Sequence, residues 1–238
     1  MHLISLQLKT SQNFSQNLSQ LIKHIKKSPK NSLILAPELF LTGYSYNNLQ
    51  IASEITIEAI KTLKHLSKDK IIALTMTTKV DTLYYNTFFI FSKNEIMHTQ
   101  NKVKLFDLNK EQKYFTKGKE KNIVVQNING IKIATLICFE LRFVHLWEKL
   151  KGADIILIPA MWGKQRKQNF ESLCNALAIV NQCYVIASNS ANGIMAKGSA
   201  IITPFGKVTQ DDTRKMISSI FNKNQITKMR KYLYTGIN

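Results

Sequence analysis

Gly130-Ile131-Lys132-Ile133-Ala134-Thr135-Leu136-Ile137-Cys138-Phe139-Glu140-Leu141-Arg142-Phe143 is an apolar run that ends on a cysteine and turns at once to charge. It is bounded upstream by Asn129-Gly130, a two-residue hairpin signal, so residues 122 to 126 and 131 to 138 are expected to pair as antiparallel strands. A buried strand would then deliver the Cys138 thiol to the edge of a polar site. Taken alone, a cysteine at the end of an apolar strand is a core residue, because free cysteine is among the most buried side chains. To act as a nucleophile it needs a base to take its proton and a cation for the charge its attack creates.

Upstream, residues 1 to 7 read as a short strand, and Phe14, Leu18, Leu21, Ile22 and Ile25 recur at helical spacing across residues 12 to 27. Ser32-Leu33-Ile34-Leu35-Ala36 is too short and too apolar for anything but a buried strand; Pro37 stops it and Glu38 follows, which places a carboxylate at a strand end. A helix is expected over 52 to 66, a strand over 71 to 76, and a hairpin from 84 to 99 through Ser92-Lys93-Asn94. Residues 101 to 118 mix charge with aromatics in a dense polar loop. Downstream come a helix over 144 to 151, a buried strand over 154 to 159, a helix over 168 to 181, strands over 184 to 188, 199 to 203 and 216 to 221, and a basic helix over 225 to 233.

Strands and helices are intermingled without a proline- or glycine-rich linker, so one α/β domain spanning 1–238 is expected, its site at one end of a sheet near residues 38, 138 and 159. The three cysteines Cys138, Cys174 and Cys183 form no CxxC pair, and the five histidines lie far apart, so neither a disulfide framework nor a metal site is expected. Cys174 and Cys183 read as core. The apolar runs are too short for a membrane span and the N-terminus lacks a leader pattern, so a cytoplasmic protein is expected. The formal charge of +18 raises the question of nucleic acid, but only four of the 33 basic residues are arginines (Arg142, Arg166, Arg214, Arg230) and the cations are scattered. A solvated lysine surface, with no specific nucleic-acid partner, is the expectation.

Three blocks carry a resemblance. Ala36-Pro37-Glu38-Leu39-Phe40-Leu41-Thr42-Gly43-Tyr44, Asn101-Lys102-Val103-Lys104-Leu105-Phe106-Asp107 and Ile137-Cys138-Phe139-Glu140-Leu141-Arg142-Phe143 resemble, in order, the motif blocks of the nitrilase superfamily, the carbon-nitrogen hydrolases. Pro159-Ala160-Met161-Trp162 and the segment from Gly198 to Gly206 extend the likeness over nearly the whole chain. The resemblance implies a four-layer α-β-β-α sandwich, a triad of Glu38, Lys102 and Cys138, Glu111 as a second glutamate near it, no cofactor and a homodimer or higher homo-oligomer. Lys102, not Lys104, matches the family lysine by its distance from Leu105. The chain departs from the family pattern at Val144 and His145 and at Leu177 and Val180, positions of packing and subunit contact.

The implied chemistry is hydrolysis of a small-molecule amide. Cys138 would attack as a thiolate, its pKa lowered by a neighbouring cation; Glu38 would shuttle the proton; Lys102 and the backbone N–H of Phe139 would hold the oxyanion. Tyr44, Met161 and Trp162 are expected as pocket walls, and Glu140 and Arg142 as a structural charge pair. An omega-amidase-like reaction on a carboxylated or amine-bearing amide is the first expectation. Nitrile or N-carbamoyl hydrolysis with the same triad, or a silent polyanion-binding protein on the same fold, are the alternatives.

Overall fold

The computed structural model describes residues 1–237. Two six-stranded sheets stack face to face. The first contains β1 (His2–Leu6), β2 (Ser32–Leu35), β3 (Ile71–Val80), β4 (Leu83–Ser92), β5 (Glu95–Asn101) and β12 (Met216–Ile220) in the order β12-β1-β2-β3-β4-β5. The second contains β6 (Gln126–Ile128), β7 (Ile131–Thr135), β8 (Ile155–Ala160), β9 (Tyr184–Asn189), β10 (Ala200–Ile202) and β11 (Val208–Gln210) in the order β11-β10-β9-β8-β7-β6. Each sheet has three parallel strands at its centre, β1-β2-β3 and β7-β8-β9, flanked by antiparallel ones.

The period-two alternation of the first sheet decides the layers. Leu3, Leu33, Leu35, Ala73, Phe88 and Ile90 face the second sheet and join its core. Their neighbours Ile4, Ile34, Ile72, Leu74, Phe89 and Phe91 face the other way, onto α1 (Phe14–Lys27) and α2 (Leu49–Leu66) through Leu18, Leu21, Ile25, Ile55, Ala59 and Leu63. On the far side of the second sheet lie α3 (Val144–Glu148), α4 (Lys167–Val180) and α5 (Lys223–Tyr232), with Phe170, Leu177 and Ile226 in its core. Every residue of β8 is buried, as a strand covered on both faces requires. Two buried hydroxyls tie the sheets together: Ser5 donates to the Ala187 carbonyl and Ser188 to that of Leu6, each at 2.6 Å.

The α-β-β-α sandwich is thus as expected, and most elements fall where the sequence puts them. Three do not. The first strand of the hairpin through Asn129-Gly130 is Gln126–Ile128, not 122 to 126, because residues 120–122 form a 3-10 turn. β7 stops at Thr135, so Cys138 opens a 3-10 turn (Cys138–Arg142) instead of ending the strand. β5 continues to Asn101, which puts Lys102 directly after a strand and not inside a loop. The short strand β11, exposed along its length, was not anticipated. Among the described residues, no helix is long and apolar enough to cross a membrane.

Candidate active site

Parallel strands from both sheets end at one place. Past the end of β2, Pro37 breaks the ladder, and the Glu38 N–H crosses to the carbonyl of Ala160, the last residue of β8, at 3.3 Å. The next residue, Leu39, sits at φ 45°, a left-handed conformation that turns the chain sharply; its N–H is held by Thr75 Oγ1 at 2.6 Å. Cys138 is likewise left-handed, at φ 51°. Such a conformation costs about 1–3 kcal/mol for a residue with a Cβ and persists only where its surroundings impose it. Here Glu140 imposes it: its buried carboxylate accepts the Ile137 N–H at 2.7 Å and the Val103 N–H at 2.5 Å, fastening the cysteine turn to the segment that carries Lys102. Burial raises the Glu140 carboxyl from the ordinary 4.5 to about 7, against the pull of those two backbone N–H groups. The expected Glu140–Arg142 pair therefore does not form: Glu140 points inward to backbone, while Arg142 lies over the Trp162 ring, 4.7 Å from its centroid, and donates to Asn169.

Lys102 is fixed at both ends of its residue. Its N–H donates to the Asn86 carbonyl (2.9 Å) and its own carbonyl accepts from Gly118 (2.8 Å). A Cβ on Gly118 would stand 2.3 Å from the Asn101 carbonyl oxygen, so only glycine permits this return of the chain. The Lys102 ammonium then meets Glu38 Oε1 at 2.8 Å, both oxygens of Glu111 at 2.9 and 3.1 Å, and the Tyr44 hydroxyl at 2.9 Å. All three of its hydrogens are engaged. Lys104, the rejected alternative, points instead to Glu120 at the surface.

Glu38, Lys102 and Glu111 are completely buried. Glu38 is bound asymmetrically. Oε1 accepts from Tyr44 (2.7 Å), Asn86 (2.9 Å) and Lys102, whereas Oε2, also buried, has no hydrogen-bond partner among the described residues. Glu111 is steadied by the Phe106 N–H at 2.7 Å. Its carboxyl is raised by burial, an effect that Lys102 opposes. Burial acts against the charge of Lys102, but the adjacent Glu38 and Glu111 outweigh it and push the ammonium's pKa up. The cluster holds two carboxylates and one ammonium.

Cys138 lies beside this cluster, 7% exposed, with the Met161 N–H 3.5 Å from its sulfur. Its thiol is raised well above the ordinary range, first by burial and then by the charge of Glu38, with Lys102 opposing. The sequence expectation of a thiolate lowered by its cation is thereby corrected: burial and the charge of Glu38 outweigh the lowering by Lys102. Cys174 and Cys183 are fully buried in the core, as expected.

Two spaces open onto the thiol's surroundings. A narrow pocket is walled by Cys138, Phe106, Phe139, Arg142, Met161, Trp162 and Arg166. On the other side of Met161 is a cavity of about 680 Å3 lined by hydroxyl and amide groups of Tyr44, Tyr46, Asn48, Ser190 and Asn192 but by no charged side chain. The stacked rings of Tyr46 and Tyr114, 4.1 Å apart, stand in its wall. Met161 and Trp162 are therefore pocket walls, whereas Tyr44 also reaches into the polar cluster. Asn86, Phe106 and Arg166 were not anticipated. Only Asn86 had left a sign: an amide in the middle of the strand-forming run Tyr84-Tyr85-Asn86-Thr87-Phe88-Phe89, where asparagine is depleted.

No group of three or more His, Cys, Asp or Glu side chains among the described residues could hold a metal ion. The sequence model of the carbon-nitrogen hydrolases matches residues 5–222. The 2-oxoglutaramate amidase of Bacillus subtilis (strain 168) is 33% identical over 213 residues, covering 84% of this chain and 82% of that protein. XC1258 from Xanthomonas campestris, a CN-hydrolase superfamily protein with an arsenic adduct in its active site, superposes with a TM-score of 0.85 at 17% identity, over 98% of this chain and 94% of that one. An amidase from Nesterenkonia sp. AN1, with the acetamide moiety of fluoroacetamide covalently added at its active site cysteine, superposes with a TM-score of 0.83 at 17% identity, over 98% and 94% of the two chains. The last two likenesses concern the fold; the family match and the Bacillus relative carry the assignment, and on them the chain belongs to the carbon-nitrogen hydrolase family of the nitrilase superfamily.

Proposed function

We propose that the protein hydrolyses the amide of a small carboxylated metabolite through a Cys138 thioester, with Glu38 as base, Lys102 as fixed cation and Glu111 as the residue that positions Lys102. The observation that carries this reading is the asymmetry of Glu38. Three donors fill Oε1 and leave Oε2 as the open basic site next to a thiol that is protonated at rest.

Attack and proton transfer then occur together. As sulfur bonds to the amide carbon, the thiol proton passes to Glu38 Oε2 and the carbonyl electrons move onto oxygen. The Phe139 backbone N–H donates to that oxygen. Lys102, whose three hydrogens are already engaged, acts on it through its charge; oxyanion stabilisation of this kind is worth about 100- to 1,000-fold in rate. Collapse breaks the C–N bond as Glu38 returns the proton to nitrogen, and ammonia leaves. Water, deprotonated by Glu38, cleaves the thioester to the carboxylic acid and restores the thiol. Two arginines, Arg142 and Arg166, in the lining of the narrow pocket favour a carboxylate on the acyl half, and the relative named 2-oxoglutaramate amidase agrees with that class.

A homodimer is part of the same proposal. Ile179, Val180, Phe205 and Leu233 are exposed apolar side chains near the end of α4, drawn together by the approach of Gly206 to Ile179 and by the hydrogen bond from Gln182 to the Leu233 carbonyl. A cytoplasmic, metal-free and cofactor-free hydrolase with a lysine-rich solvated surface completes the reading.

The test is a screen for ammonia release over amides, nitriles and N-carbamoyl compounds, with Cys138→Ala as the control. Turnover of carboxylated amides that vanishes in the variant is expected. Turnover confined to nitriles or carbamoyl compounds would move the assignment within the family, and ammonia release that survives Cys138→Ala would end it.

A further inference from the structure

Three half-buried phenylalanine rings form a chain of contacts through the residue that follows the nucleophile. Phe139, whose N–H is the oxyanion donor of the proposed mechanism, meets Phe106 at 5.0 Å between ring centroids and Phe143 at 5.2 Å, the latter nearly perpendicular at 88°. A cation caps each end. The Arg166 guanidinium lies over Phe106 and the Lys104 ammonium over Phe143, each 5.1 Å from the centroid. Lys104 is held in place by Glu120, whose Oε1 it meets at 2.5 Å. The same oxygen lies 3.7 Å from Nε2 of His145, and the His145 ring meets that of Phe143 at 6.0 Å.

The face of an aromatic ring is electron-rich and its edge electron-poor, so a cation over the face and a second ring set edge to face both fix its plane. Half-buried rings need such fixing, because they lack the close packing that locks a core side chain on every side. The backbone beside them needs it too. Cys138 is left-handed at φ 51°, and Glu140 fastens the turn through the Ile137 N–H, before the thiol. The peptide after the thiol carries the Phe139 N–H, and its side chain is the middle ring of the chain. Lys104 lies two residues beyond Lys102, so its contact with Phe143 ties the segment of the catalytic cation to the oxyanion donor's turn a second time, nearer the surface than Glu140 does. His145 stands where this chain departs from the family pattern, so the Glu120 and His145 end of the brace does not follow from the resemblance.

We propose that Lys104 is a positioning residue: by holding the Phe143 ring it keeps Phe139 in place and the Phe139 N–H aimed at the oxyanion. This rests on the amidase reading above and deepens it, because it concerns how the developing charge is met. Attack of the thiol on a carbonyl carbon creates an oxyanion for that N–H, whereas alkylation of the thiol at a saturated carbon creates none. Loss of the brace therefore slows the first reaction and spares the second.

The experiment takes the full-length protein and the variants Lys104→Met, Lys104→Arg and Phe143→Leu, and compares three quantities. The first is kcat for succinamate, a small carboxylated amide. The second is the inhibition constant of its aldehyde counterpart, succinate semialdehyde, whose carbonyl carbon bonds reversibly to the Cys138 sulfur while its oxygen takes the proton. The third is the rate of Cys138 alkylation by iodoacetamide. Lys104→Met should lower kcat about 5- to 10-fold and weaken the aldehyde by a similar factor, with alkylation changed by less than about 2-fold. Lys104→Arg should restore both, since a guanidinium keeps the charge over the ring. Phe143→Leu should match Lys104→Met, and the double variant should lose no more than Phe143→Leu alone. An unchanged kcat in Lys104→Met overturns the inference, as does a loss that Lys104→Arg fails to rescue. Equal losses of turnover and alkylation make Lys104 merely structural and overturn it as well. In each of these cases the amidase reading stands; it falls, and the inference with it, if the unaltered protein leaves succinamate intact.

Discussion

The two sheets contribute unlike halves to one site. The first sheet and its loops bring Glu38, Tyr44, Asn86, Lys102 and Glu111, a set in which every hydrogen of the ammonium is bonded and three donors converge on one carboxylate oxygen. The second sheet brings Cys138, Phe139, Met161 and Arg166. There the sulfur meets a backbone N–H at 3.5 Å, and the guanidinium has a ring beneath it. One half is closed and the other is open. On the proposed mechanism the closed half must not move, because a base and a cation act only if their geometry is already set when charge develops. The open half, on the same proposal, changes partners with each substrate. Glu38 Oε2, an unpartnered oxygen of the closed half, is where the two meet.

The largest effect should come from removing that oxygen. Glu38→Gln keeps an oxygen for the three donors but replaces the free acceptor with an N–H2, so kcat should fall by about 1,000-fold or more while circular dichroism shows the fold retained. A smaller loss would mean that the thiol has another base. Loosening the closed half without removing the base should cost less. Tyr44→Phe and Asn86→Ala each delete one donor to Oε1, and kcat is expected to fall about 10-fold with KM little changed. A rise in KM alone for Tyr44→Phe would return that residue to the pocket wall. The smallest effect lies in the link between the halves. Glu140 has a folded pKa of about 7 against an ordinary 4.5, so the native state holds a proton that the unfolded chain has released, and its contribution to stability declines as pH rises from about 4.5 to 7. Thermal melts at pH 5 and pH 7 should show the unaltered protein losing stability relative to Glu140→Gln over that interval; parallel curves would contradict it.

How much of this could be read from the sequence follows the same division. The strand end before Glu38 was readable, since Pro37 breaks an apolar run, whereas the strand before Cys138 stops at Thr135, short of the expected end. The positions of Lys102 and Glu111 followed from the resemblance of their block. Hydrogen bonds across the fold were not readable: Asn86 reaches Glu38 from 48 residues away, and Glu140 chose two backbone N–H groups over its near neighbour Arg142. The thiol's protonation was misjudged for a related reason. Its direction is set first by burial and then by the charge of Glu38, and both depend on how the chain packs in space. Arg166, in a turn of plain surface composition, had no pattern to mark it.

The central claim is that Cys138, activated by the free oxygen of Glu38, forms a covalent bond to the acyl half of an amide. Rapid-quench mass mapping of the cysteine peptides during turnover tests it most directly. The account predicts an acyl mass on the Cys138 peptide, none on Cys174 or Cys183, and none anywhere in Cys138→Ala. Steady hydrolysis with all three cysteines unmodified would contradict it.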